Sequence, residues 1–286
     1  MGFIESWKKG WSFMGAAFGM ARDNRKLLAP SLYQVLVSIV YWVAWIAALV
    51  AIQPSWSNGT WAAVGGVATF GSFLIFYFFC GMTVNMIDVH LKGGAPSVGD
   101  GARDAGKNFV AIVFLALVST VIEMFARAAR DNDSIVGKII AGIVEAIWTT
   151  LAFLLLPAII IEDAGFGQAM KRVRSLHKGN MLLIGIGEVG VRGVTGLISF
   201  LWLLLTIGVG YGVASVFTGW TALTIIIIVC GTMLSLLAAF TTYIRMAYYT
   251  CLYLWAADVE KQGQSAPAPL PLAIALGHRE SARRAA

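Results

Sequence analysis

The sequence predicts an all-α protein, a polytopic membrane bundle of six transmembrane helices, on three observations. Hydrophobic residues make up 58% of the 286-residue chain and charged residues only 13%, whereas a soluble domain carries about 25% charged residues. Six segments are apolar over the roughly 20 residues needed to cross about 30 Å of hydrocarbon. The connections between them alternate between basic segments and segments without lysine or arginine, as expected on opposite sides of a membrane.

The six predicted spans divide the chain into three parts. The spans are 27–52, 61–87, 109–129, 135–161, 181–215 and 220–256. We expect an interfacial amphipathic N-terminal helix at 1–26, the membrane domain at 27–256, and a mostly disordered cytoplasmic tail at 257–286. The tail is rich in proline, alanine, glutamine and charge, a composition that is typical of disorder.

The distribution of basic residues predicts the orientation of the chain. Sixteen of its 21 lysine and arginine residues lie in the N-terminal arm, the second and fourth connections and the tail. The third connection, with Arg127, Arg130 and Lys138, is the exception. By the positive-inside rule both termini are cytoplasmic. We therefore expect a multi-pass protein of the cell inner (cytoplasmic) membrane.

Spaced apolar residues predict the first helix. Ile4, Trp7, Trp11, Met14 and Phe18 recur at steps of three and four, which places them on one helix face. Such a helix either lies in the headgroup plane or packs under the bundle. Two tryptophans beside two lysines favour the headgroup plane.

Three basic segments, each placed before a span, look related. Segments 18–32, 100–114 and 167–184 share small residues, a basic cluster, a lysine near the membrane edge and then an apolar run. The pattern predicts three similar helical hairpins, each introduced by a short amphipathic cytoplasmic helix. Internal repeats of this kind are common in membrane proteins.

Nine cations would converge on the cytoplasmic side if the three hairpins pack around one axis. They are Arg22, Arg25, Lys26, Arg103, Lys107, Lys171, Arg172, Arg174 and Lys178. We call this set the basic ring. Such a ring is suited to binding phosphate headgroups. The alternative is that these charges only orient the chain in the membrane.

Ionisable residues inside spans are costly unless they are paired, and they are therefore functional candidates. Glu188 and Arg245 have matching depths on the fifth and sixth spans, and Arg192 lies one turn from Glu188. We predict a cluster of these three side chains near the cytoplasmic end. It acts either as a clamp between helices or as a substrate site.

A second candidate cluster lies on the third and fourth spans. Glu123 and Arg127 are one turn apart, and Glu145 faces them from the next span. The two carboxylates lie about 10 and 15 Å below the outer end at 1.5 Å per residue. They predict a proton or cation site, and a plain ion pair with Arg127 is the alternative.

Two glycine-rich stretches match the spacing of known ligand-binding loops. Residues 185–190 read GIGEVG, the dinucleotide-binding spacing, but no acidic residue lies between Glu188 and Asp258 to hold a ribose. We predict instead that these glycines let a neighbouring helix approach closely. Residues 208–212 read GVGYG and resemble a potassium filter, but no pore helix can be placed beside them. We expect a loosened helix end there.

Two segments carry a resemblance to known families. Glu162, Ala169, Arg172, Leu176 and Gly179 match a motif in which an acidic residue closes one span before the next begins. With the segment GGAPSVGDGARDAGKN, the chain resembles an uncharacterised prokaryotic six-span integral membrane family, a domain of unknown function. That family is similar to the membrane domain found with some glycerophosphodiester phosphodiesterases. The resemblance implies the six-span fold and no particular activity.

The sequence offers little support for catalysis. His90, His177 and His278 are far apart, and the three cysteines stand singly in apolar runs. We expect no enzyme activity, no cofactor, no metal site and no nucleic acid. The preferred function is non-enzymatic, either engaging anionic lipid headgroups or scaffolding a membrane partner. The alternative is a small-solute or proton-coupled transporter or channel. Membrane lipid is the expected partner, and a protein partner or a homo-oligomer stays open.

Overall fold

The computed structural model describes residues 3–52, 57–131, 134–263 and 266–276, and at 3–6, 58 and 177–189 it describes the backbone only. Within these ranges the chain forms helices and no strands, which confirms the predicted all-helical class. The helices are α1 (Phe3–Asp23), α2 (Ala29–Ile52), α3 (Asn58–Leu91), α4 (Val98–Lys107), α5 (Phe109–Asp131), α6 (Ile135–Ile161), α7 (Phe166–Val216), α8 (Gly219–Gln262) and α9 (Leu270–Leu276). A 3₁₀ turn, Arg25–Leu28, joins α1 to α2.

Six of the described helices are long and apolar enough to cross a membrane, as the sequence predicts. They are α2, α3, α5, α6, α7 and α8. The chain is therefore consistent with a multi-pass helical bundle. Serine side chains begin three of its helices, because Ser57, Ser97 and Ser134 accept hydrogen bonds from the first turns of α3, α4 and α6.

The third hairpin departs from the expected pattern. Its introducing helix is not separate, because α7 runs unbroken for 51 residues and includes both the basic segment and the fifth span. No proline interrupts residues 166–216, so no backbone hydrogen bond has to be lost. The helix also continues through 208–212. The expected loosened end is therefore wrong, and 185–190 likewise lies in helix rather than in a ligand loop.

The chain divides into two compact units. Unit 2 comprises residues 36–178 and contains α3 to α6. Its core lies at one end of the spans, where Leu155, Leu156 and Ile159 of α6 are fully buried against α3 and α5. At the other end of α6, residues 135–150 are mostly exposed and apolar. This end presents a surface suited to lipid.

A polar contact joins three helices inside unit 2. The Ser119 hydroxyl of α5 lies 2.8 Å from the Tyr77 hydroxyl of α3 and accepts a 2.9 Å hydrogen bond from the Trp148 indole of α6. The same hydroxyl donates to the carbonyl of Leu115. Buried polar groups need such partners where no water is available. The contact therefore fixes the register of the three spans.

Unit 1 comprises residues 1–35 and 179–286. Its core is the last part of α8, where most of residues 243–257 are buried, and α1 and α9 pack there. The Tyr243 hydroxyl donates to the Ala17 carbonyl at 3.0 Å. The Phe13 and Tyr248 rings meet edge to face at 5.3 Å.

The C-terminal segment differs from the expected disorder at two places. The last turns of α8 extend to Gln262, and α9 buries Leu272 and Ala273 beside α1. The Trp255 indole of α8 also donates to the Ala266 carbonyl. Burial of the apolar run LPLAIAL stabilises this arrangement, because it removes apolar surface from water. Residues 277–286 lie outside the described part of the chain.

The predicted stripe on α1 is divided between two faces. Met14 is buried, but Trp11 and Phe18 are 49% and 53% exposed. The buried face instead contains Phe13, Met14, Ala17, Met20 and Ala21. The buried face differs from the predicted stripe because its small residues let α1 pack closely on the rest of unit 1. Small residues contribute little to the apolar pattern from which the stripe was predicted. The side chain of Ile4 lies outside the described part.

Candidate functional site

A pocket of about 680 Å³ lies in unit 2 beside two helix joints. One joint connects α4 to α5 through Asn108, and the other connects α6 to α7 through residues 162–165. Both joints stand where a span begins or ends. The pocket therefore lies at the ends of two candidate spans rather than beside their middle.

Two lysines line this pocket. Lys107 is the last residue of α4, and Lys171 lies in the second turn of α7. Both side chains are exposed. Lys107 also makes a 3.4 Å ion pair with Asp104, which is a weak contact at an exposed position. Flexible ammonium groups at such a rim can reach a bound anion.

The opposite wall is apolar. The rings of Phe114 on α5 and Phe166 on α7 stack with centroids 6.5 Å apart and planes 26° from parallel. Val110 and Ala111 extend this surface along α5. Phe114 is 52% exposed. The pocket thus combines cations with an apolar wall, which suits a ligand that has an anionic head and an apolar chain.

A hydrogen bond between the two joints shapes the pocket. The Asn108 amide donates to the Asp163 carboxylate at 2.8 Å, and both residues line the pocket. Asp163 has a φ of 48°, in the left-handed region, and the Ala164 N–H bonds the Ile159 carbonyl. This is the Schellman ending of a helix, where glycine is usual. Asp163 is strained there, and its side chain bonds across to Asn108.

The motif that carries the family resemblance lies next to this pocket. The Arg172 Nε lies 2.9 and 3.1 Å from the two carboxylate oxygens of Glu162. Ala169 and Leu176 of the same motif are buried. The pair closes the α6–α7 joint. Gly179 of the motif is described by its backbone alone, which lies within α7.

The structure brings only part of the basic ring together. Lys107 and Lys171 line one pocket, whereas Arg172 is paired with Glu162. Arg103 and Arg174 are exposed on α4 and α7 and do not line it. The three cations that belong to unit 1 are Arg22, Arg25 and Lys26. The side chain of Lys178 lies outside the described part.

Sequence reasoning missed the pocket residues that form its polar link and its aromatic wall. They are Asn108, Phe114, Asp163 and Phe166. Asn108 and Asp163 are 55 positions apart, and no spacing rule connects residues across two spans. The sequence signal that could have located the pocket is the family resemblance, because both joints lie within the segments that carry it.

The predicted acidic cluster on α5 and α6 forms around an arginine that the prediction omitted. Glu123 pairs with Arg127 at 2.7 Å. Arg130 contacts Glu145 and lies 3.3 Å from Glu123. Two arginines therefore balance the two carboxylates. The geometry is that of an ion-pair network.

The predicted cluster on α7 and α8 is described in part. Arg192 and Arg245 are exposed and close enough for their positive charges to interact. They lie about 36 and 39 Å from the turn at 217–218 at 1.5 Å per residue, beyond the roughly 30 Å of hydrocarbon. If the turn at 217–218 lies at one membrane surface, this distance places the pair at the opposite headgroup level. The side chain of Glu188 lies outside the described part.

A close helix approach at the glycines is confirmed at Gly190. A methyl group added to Gly10 of α1 would collide with the Gly190 carbonyl, and the Trp7 indole lies against Gly193. Small residues are what permit such backbone contact in membrane proteins. Among the residues that the structure describes, no cluster of three or more histidine, cysteine or acidic residues could hold a metal ion.

Comparison with known proteins identifies a family whose function is unknown. No curated protein matches this sequence. A family model matches residues 66–263, more than half of the chain, and that stretch includes both joints of the pocket. This chain belongs to the family described as a family of unknown function (DUF6159).

Proposed function

We propose that this protein is a non-enzymatic membrane protein that binds anionic lipid headgroups in the pocket beside the two helix joints of unit 2. The observation that carries the proposal is the placement of Lys107 and Lys171 around the same pocket as the stacked Phe114 and Phe166. We place the protein in the cell inner membrane with both termini in the cytoplasm, following the basic residues.

The depth of the pocket supports this ligand class. α5 begins at Phe109 and α6 ends at Ile161, so the pocket lies beside the ends of two candidate spans. In a bilayer, the phosphate groups begin where the hydrocarbon ends. Near an anionic surface each lysine contributes about 1 kcal/mol of attraction. An acyl chain can lie along Phe114 and Val110 while the phosphate lies between the two amines.

The beginning of α7 adds a second source of positive potential. Phe166, Gly167 and Gln168 form its first turn and line the pocket. The first N–H groups of a helix lack intrahelical acceptors, and the helix dipole is positive there. Arg172 has a positioning role in this proposal, since its pair with Glu162 holds the first turn of α7 in place.

The test is thermal unfolding of the full chain in mixed micelles that contain phosphatidylglycerol or phosphatidylcholine with the same acyl chains. A ligand that binds only the folded state raises Tm. We expect phosphatidylglycerol to raise Tm more than phosphatidylcholine does, and the variant Lys107→Ala/Lys171→Ala to lose most of this difference. An equal lipid response in the variant and the wild type would contradict the proposal.

Proton-coupled transport is the second candidate function, and one observation favours it. Glu123 and Glu145 meet at Arg130 inside two candidate spans. Transport requires a flux in proteoliposomes that Glu123→Gln or Glu145→Gln abolishes while the protein still folds. The lipid-binding proposal expects these variants to keep the response to phosphatidylglycerol. A protein scaffold without lipid preference would give neither result.

A further inference from the structure

The two long faces of α1 differ sharply in exposure. Phe13, Ala17 and Ala21 are buried in unit 1. The opposite face is exposed at steps of three and four residues, at Lys8, Trp11, Gly15, Phe18 and Arg22. We call this the exposed face of α1. Two aromatic rings occupy its middle and a cation stands at each end.

α1 crosses α7 and α8 at nearly one depth. The Trp7 indole lies against Gly193 of α7, and Phe18 meets Phe240 of α8 at 6.2 Å between ring centroids. Counted at 1.5 Å per residue from the turn at 217–218, Gly193 lies at about 35 Å and Phe240 at about 32 Å. Contacts 11 residues apart on α1 thus share one depth. α1 therefore lies across this hairpin rather than along it.

That depth is the edge of a bilayer. If the turn at 217–218 lies at one membrane surface, about 30 Å of hydrocarbon ends just before the level of Phe240 and Gly193. The connection to α2 gives the same result independently. Only Asn24 and the 3₁₀ turn separate α1 from α2, a helix apolar enough to span a membrane.

The exposed face of α1 is turned toward the hydrocarbon. Phe18 on this face contacts Phe240 at about 32 Å, whereas Phe13 on the buried face contacts Tyr248 at about 44 Å, counted in the same way. Gly10, which is buried, meets Gly190 at about 39 Å. The contacts made by the exposed face of α1 therefore lie nearer to the turn at 217–218, on the hydrocarbon side, than the contacts made by its buried face.

We infer that the exposed face of α1 lies in the boundary between headgroups and acyl chains of one membrane leaflet. Trp11 and Phe18 insert among the upper parts of the acyl chains, where amphipathic and aromatic rings are favoured. Lys8 and Arg22 extend their long side chains outward to lipid phosphates. This inference rests on unit 1 alone and is independent of the pocket in unit 2.

Site-directed nitroxide labelling of the full chain tests the inference. In a background with Cys80, Cys230 and Cys251 replaced by alanine, single cysteines are introduced as Trp11→Cys, Phe18→Cys, Ser12→Cys and Ala16→Cys. The labelled proteins are placed in nanodiscs of phosphatidylglycerol and phosphatidylcholine. Collisions of each label with oxygen, which concentrates in hydrocarbon, are compared with collisions with a water-soluble nickel complex.

We expect a several-fold higher ratio of oxygen to nickel collisions at positions 11 and 18 than at positions 12 and 16, which lie off the exposed face. Equally low ratios at all four positions would place the exposed face in water and overturn the inference. Protection of positions 11 and 18 from both reagents would also overturn it, because a protein would then cover the face. The ratios should not change in the Lys107→Ala/Lys171→Ala background, so the two proposals fail separately.

Discussion

At the scale of single residues, polar side chains link separate helices of this bundle. The Ser119 hydroxyl is hydrogen-bonded to both Tyr77 and Trp148, and the Asn108 amide donates a hydrogen bond to Asp163. Each contact joins residues between 29 and 55 positions apart. Hydropathy cannot show such pairs, because a serine or asparagine within an apolar segment has many candidate partners.

Ser119→Ala is expected to lower the free energy of unfolding by about 1–2 kcal/mol, because the Tyr77 hydroxyl and the Trp148 indole lose a partner where no water replaces it. Denaturant unfolding in micelles measures this change. Thr224→Ala is the matched control, since Thr224 is exposed and bonds only a carbonyl of its own helix. Equal stability of the two variants would show that the three-helix contact is not stabilising.

Asp163→Ala is expected to destabilise the α6–α7 joint by about 1–3 kcal/mol, because it loses the bond to Asn108 and keeps a left-handed conformation that costs alanine about 1–2 kcal/mol. Asp163→Asn should remain close to the wild type, since its amide oxygen still accepts the bond and asparagine tolerates this conformation. Thermal unfolding compares them. If Asp163→Asn lowers Tm as much as Asp163→Ala does, the carboxylate charge itself is required.

At the scale of helices, the contact between α1 and α7 depends on the absence of side chains. Gly10→Ala should destabilise unit 1, because its methyl group collides with the Gly190 backbone. Gly19→Ala on the same helix meets nothing within 4 Å, and it should be neutral or stabilising by up to about 1 kcal/mol. Thermal unfolding of the two variants tests this, and the same loss in both would exclude a role for the close approach.

The spans were predictable because about 20 apolar residues have few alternatives to a membrane helix. The continuation of α7 through the basic segment was not predictable, since charge composition does not show where one helix ends and another begins. α9 was missed for a related reason. Its seven residues are too few for a periodic signal, and its stability comes from burial against α1.

At the scale of the whole molecule, each unit is well packed at one end of its helices and open at the other. In unit 2 the pocket lies at the packed end, and the Glu123–Arg130–Glu145 network lies toward the open end. Burial fixes the joints that form the pocket. Charge in the sequence predicted which lysines were candidates, but the two that share the pocket come from segments more than 60 residues apart.

The ion-pair network should support the open end of unit 2 without taking part in lipid binding. Glu145→Gln is expected to lower Tm slightly, because Arg130 loses its nearest carboxylate. The gain in Tm with phosphatidylglycerol should stay unchanged. Calorimetry with and without this lipid measures both quantities, and a lost lipid response would move the candidate site to α5 and α6.

The most direct test of the central claim is native mass spectrometry of the protein released from its own membrane with lipids retained. We expect selective retention of an anionic phospholipid by the wild type and its loss in Lys107→Ala/Lys171→Ala. The control Lys138→Ala/Lys261→Ala removes the same charge from exposed lysines outside the pocket and should retain the lipid. Equal retention in all three proteins, or no selective lipid in the wild type, would contradict the claim.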